Sequence, residues 1–232
     1  MAQEETSTKL SDSELEDLVA STDTGGRKPD NQGVVKLIAG TALLWSLFQV
    51  WIASPLPYRL GFGVFSSGEA RPIHLAFALF LAYLAYPAFK SSPRRTIPVA
   101  DWVLALVAAF CSLYLFIFDT ALIDSIFGAR LSDRPNNPNS FDVIVSVVGI
   151  ITLLEATRRA LGPPLMIVAM VFLGYTFLGP YAPGFLAWKG ASFNAVAYHQ
   201  WLSTEGVFGI ALGVSTDLVF LFVLFGALLD KA

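Results

Sequence analysis

Six blocks of continuously apolar residues, 17 to 23 residues long, alternate along this chain with short polar breaks; they cover about 34–53, 72–89, 99–118, 141–159, 163–179 and 207–229. At 1.5 Å of rise per helical residue, each block is long enough to cross a hydrocarbon core of about 30 Å. The polar residues do not alternate with the apolar ones, so the blocks do not read as strands of a membrane barrel. Between the blocks lie Ser54-Pro55-Leu56-Pro57, Ser91-Ser92-Pro93, Arg134-Pro135-Asn136-Asn137-Pro138-Asn139 and Gly162-Pro163-Pro164, all loop or helix-end signals. The pattern predicts an all-α, polytopic membrane bundle of six spans. Residues 191–204 are too short and too polar to cross. Phe193, Val196, Ala197 and Trp201 recur there at helical spacing, which predicts an amphipathic helix lying in the outer interface; a structured loop is the alternative.

Composition agrees with the pattern. The chain is 55% hydrophobic and 14% charged with a mean hydropathy of +0.61, whereas soluble domains carry about 25% charged residues. That excludes an ordinary soluble enzyme and a nucleic-acid binder. One cysteine, Cys111, cannot form an internal disulfide, and two histidines in separate elements do not make a zinc site.

The net charge of −3 is unevenly distributed. Residues 1–33 hold eight acidic and three basic residues, a net −5, which leaves +2 for the remainder. This segment has few clustered apolar residues and predicts a disordered acidic tail over 1–33, with a short helix possible at 11–20. No basic stretch leads into an apolar core at Met1, so it does not read as a signal peptide. With the N-terminus cytoplasmic, ten Lys and Arg fall on the inner side and five on the outer, the tightest inner clusters being Lys90, Arg94, Arg95 and Arg158, Arg159. The positive-inside rule therefore predicts both termini in the cytoplasm.

Catalytic motifs do not occur, and no catalytic residue or metal ligand is assigned. An ionisable group at membrane depth is costly and so draws attention. Asp217 lies about ten residues into the sixth block, flanked by Ser215 and Thr216. Two readings stand: a coupling-ion or proton site, or a carboxylate capping a break in a span loosened by Gly209 and Gly213. His74 reads as a snorkelling interfacial residue, and Asp101 as a carboxylate complementing a helix N-terminus. Glu155 has Arg158 and Arg159 at i+3 and i+4, which predicts a helical ion pair at the inner interface. Small residues four apart (Ala78 and Ala82, Ala105 and Ala109, Gly209 and Gly213) allow close helix packing.

Several of these stretches resemble a known family. Leu154-Glu155-Ala156-Thr157-Arg158-Arg159 with Gly162, Tyr181 with Pro183-Gly184, Glu205 to Ile210, Leu212 to Ser215 and Val219 to Ala227 occur in the order found in fused permeases of TRAP transporters. Arg71 to Ala78 and Asp101-Trp102 resemble the branch served by TAXI-type periplasmic receptors. The sequence departs from that pattern at Asp217, a position usually uncharged there. The resemblance covers about 71–232. It implies a secondary transporter of the bacterial inner membrane that takes up organic acids with sodium from a periplasmic receptor. Residues 34–161 would form the small four-helix scaffold domain, and 162–232 would open the large, elevator-bearing one. The chain then reads as an N-terminal portion of such a permease, with the remainder of the permease, the receptor and the bilayer as partners. Sodium and substrate ligands would lie further along the family's chain, so none is assigned here, and no other cofactor is implied. The alternative is a small polytopic membrane interaction or assembly protein without transport of its own.

Overall fold

The protein is described here by a computed structural model, which covers residues 26–89, 91–119, 131 and 137–231. Every regular element among them is helical. The longer ones are α1 (Gln32–Ala53), α2 (Ser67–Ala85), α3 (Val99–Asp119), α4 (Ser140–Leu161), α5 (Pro163–Leu178), α6 (Phe193–Trp201) and α7 (Ile210–Lys231). Local chemistry fixes their ends. Asn31 starts α1 by accepting from the Gly33 N–H at 2.8 Å. Asn139 and Asp142 close α4 reciprocally, each side chain accepting the other's backbone N–H at 2.8 Å. Gly162 separates α4 from α5 at φ 87°, after which Pro163 opens the next helix.

Among the described residues, five helices are long and apolar enough to cross a membrane: α1, α3, α4, α5 and α7. The sixth expected span corresponds to α2, whose first turns hold Glu69, Arg71, Pro72 and His74 and lower its apolar character. It also starts five residues before the expected Pro72. The Glu69 carboxylate accepts the Ser66 N–H at 2.7 Å and nucleates the helix there, so Pro72 becomes an interior proline. α2 is the hub of the bundle, packing against α1, α3, α4 and α7. Its Tyr83 and Leu84 are fully enclosed with Ala105, Ala108 and Tyr114. By contrast, only 6%, 6% and 11% of the apolar windows of α1, α5 and α7 are covered by protein, against 39% and 33% in α3 and α4. Apolar surface so continuous is not tolerated in water, and the bilayer is its natural solvent.

Two expectations change. The tail predicted over 1–33 lies mostly outside the described residues, but its last part, though largely exposed, is tied to the bundle. Arg27 is buried, its N–H donates to the Ala85 carbonyl at 2.7 Å, and the Lys28 and Asp30 N–H groups donate to the Arg94 and Arg95 carbonyls at 3.1 and 3.0 Å. A charge count over a long window misses this because one arginine finds a specific buried acceptor. The second change concerns α6. It is helical where expected, and of its apolar residues Val196, Ala197 and Trp201 pack into the protein while Phe193 stays exposed. The Trp201 ring lies on α4 where Gly149 leaves room, since a β-carbon there would come within 2.2 Å of it. Its indole N–H donates to the Cys111 carbonyl of α3 at 2.9 Å. The expected outer segment at 119–140 lies largely outside the described residues.

Candidate functional site

The α7 helix does not break at Asp217; it widens. Ile210–Val214 is α-helical, Ser215–Val219 is a π turn, and Phe220–Lys231 resumes the α-helix. Such π segments often mark functional sites. Two contacts accompany the widening. Thr216 Oγ1 donates back to the Leu212 carbonyl at 2.8 Å, a bond that competes with regular winding. The Arg71 guanidinium crosses the helix at Gly213, where a β-carbon would come within 2.6 Å of it, and Arg71 donates to the Phe208 carbonyl at 3.1 Å. Among the described residues, the Asp217 carboxylate accepts no hydrogen bond. It therefore caps nothing, and the capping reading is set aside because the chain never leaves its helix.

Ser215 instead faces a polar cluster that the sequence pattern does not assemble. His74, expected at the interface, is buried. Its Nδ1 receives the Trp45 indole N–H at 3.2 Å and contacts the Gln49 side-chain nitrogen, while its Nε2 faces Ser215 Oγ at 3.4 Å. An indole N–H can only donate, so Nδ1 must accept and the ring proton sits on Nε2. His74 thus offers Ser215 an N–H rather than a lone pair, and this Ser–His contact is not arranged to activate the hydroxyl. The same logic orients Gln49: its NH₂ is turned toward Nδ1, and its Oε1 points away. That oxygen is fully buried and has no hydrogen-bond partner.

Gln49, Thr216 and Asp217 line one cavity of about 340 Å³ between α1, α2 and α7, together with Tyr58, Ser66 and Ser67. Gln49 lies four residues before the end of α1, and Asp217 seven residues after the start of α7. At 1.5 Å per residue both sit about 6–10 Å inside the helix ends.

The other charged group lies at the opposite end of α2. Asp101, on the first turn of α3, contacts Arg27 and accepts from Arg159 Nη1 at 2.8 Å, and all three side chains are almost fully enclosed. Glu155 accepts from Arg158 Nε at 2.7 Å and from Arg159 Nε at 2.8 Å. Arg158 also donates to the Ala88 carbonyl at 2.8 Å. Asp101 thus joins the start of α3, the end of α4 and the residues before α1, beyond the local dipole role read from its position. This arrangement fastens helices and holds no vacant acceptor. Among the described residues no group of three or more His, Cys, Asp or Glu is placed to hold a metal. No family model, no curated protein and no solved structure matches this chain.

Proposed function

We propose that this chain is the bracing part of a TRAP-type secondary transporter, taking up organic acids with sodium from a TAXI-type periplasmic receptor. The ordered series of motifs between Arg71 and Ala227 supports the family. One geometric contrast supports the bracing role. The interior is fastened at both ends by buried polar contacts, Arg27–Asp101–Arg159 at one and Tyr114–Asp142 at the other, while whole apolar faces of α1, α5 and α7 lie outside the bundle. A stiff core with large free faces suits an element against which another domain moves.

In this reading α2 crosses with the other five helices, its Arg71 and His74 sheltered by neighbours rather than by lipid. Arg27, Lys28, Arg94, Arg95, Arg158 and Arg159 gather at one end of the bundle, which by the positive-inside rule supports a cytoplasmic orientation of that end.

The chain and the elevator part of the permease, expressed as separate polypeptides in one cell and extracted in mild detergent, are expected to co-elute as one stoichiometric complex. Separate elution of two well-folded parts would contradict the bracing role.

A further inference from the structure

We propose that the cavity between α1, α2 and α7 binds a small monovalent cation. The acceptors are set by the surrounding bonds. Trp45 fixes His74 Nδ1 as an acceptor, His74 then draws the Gln49 NH₂, and Gln49, a residue of the cavity's lining, is left with a fully buried carbonyl oxygen that meets no donor. A buried acceptor left unsatisfied costs about 1–3 kcal/mol, so its persistence calls for a partner that carries positive charge or donates. Asp217 lines the same cavity and likewise accepts nothing from the described residues. Thr216 spends its hydroxyl proton on Leu212 and keeps oxygen lone pairs free, and Ser66, Ser67 and Tyr58 add hydroxyl oxygens.

Among the described residues that line the cavity there is no Lys, Arg or His. The wall therefore combines one carboxylate with neutral hard oxygens and holds no cation of its own. Hard oxygens suit alkali or alkaline-earth ions, but divalent ions generally require more carboxylate charge than a single group supplies. One carboxylate balances one positive charge. The volume of about 340 Å³ leaves room for the ion with several waters of roughly 30 Å³ each. The π turn contributes by placing Thr216 and Asp217, adjacent in sequence, on the same wall.

The test uses the full chain purified in detergent, with thermal unfolding followed by thiol labelling of the buried Cys111. Sodium, potassium and ammonium chlorides are each titrated against choline chloride at equal ionic strength, choline being too bulky for the oxygen set. At least one small cation is expected to raise the midpoint by about 5 °C more than choline, with saturation. That rise should disappear in Asp217→Asn, a nearly isosteric change at an exposed position, and shrink in Gln49→Leu. Equal midpoints in all four salts would overturn the site, as would a rise that survives Asp217→Asn. Because the measurement needs neither receptor nor solute, its outcome is independent of whether the chain braces a transporter.

Discussion

Replacing Asp101 with leucine is expected to destabilise the bundle by about 3–5 kcal/mol, the usual cost of removing one member of a buried ion pair and leaving its partner charged and enclosed. The effect should lie at the upper end here because two enclosed guanidiniums lose a carboxylate partner at once. Arg27 and Arg159 are 0% and 3% exposed at the side chain. Arg159 would keep Glu155, but Arg27 would retain only the Tyr83 carbonyl at 3.2 Å. Asp101→Asn should cost less, since one oxygen acceptor remains. Adding Arg27→Met to Asp101→Leu should recover part of the loss by removing the orphaned charge. Cys111, 2% exposed and the chain's one cysteine, reports the opening directly. Where opening and closing are fast relative to reaction, its labelling should accelerate on the order of a hundred- to several-thousand-fold in Asp101→Leu. An unchanged rate would mean that the cluster is not closed to water.

The second large effect is expected at Gly149. An alanine there would place its β-carbon within 2.2 Å of the Trp201 ring, closer than any real contact. The indole cannot shift freely, because it is fully buried, bonded to the Cys111 carbonyl and packed edge-on against Phe208. Overpacking of this kind costs about 1–3 kcal/mol or more. Trp201→Ala alone should cost about 3–5 kcal/mol through the cavity it leaves. The decisive comparison is the double variant. Once the indole is gone, Gly149→Ala should carry no further penalty, so the pair should be less destabilised than the sum of the singles. Additive losses would show that the two residues do not share one contact.

What the sequence made legible were local features. Apolar runs with proline, glycine and asparagine at their ends announce helices, because membrane-length helices need only their own backbone bonds and an apolar exterior. Glu155 with Arg158 and Arg159 lies within one turn of one helix, so its pairing is a local property. The start of α2 was also written locally, in the Ser66–Glu69 spacing, but Pro72 is the more conspicuous start signal and masked it. The remaining features join residues far apart in the chain. Arg27 meets Asp101 across 74 positions, Trp201 meets Cys111 across 90, and His74 meets Ser215 across 141. Periodicity carries no information about such meetings. His74 reads as interfacial from its place near a span end and Trp201 from the apolar spacing of a short amphipathic helix; polar side chains around His74 and the room left by Gly149 bury both inside the protein. The π turn is equally hidden, since the Arg71 side chain that crosses beside it at Gly213 comes from a distant helix.

Solute uptake tests the bracing role most directly. Liposomes containing residues 1–232 alone, under an inward sodium gradient and with the cognate receptor and labelled organic acid outside, should show no saturable uptake. Uptake should appear when the elevator part of the permease is incorporated with it. Saturable, sodium-driven uptake by residues 1–232 alone would contradict the account.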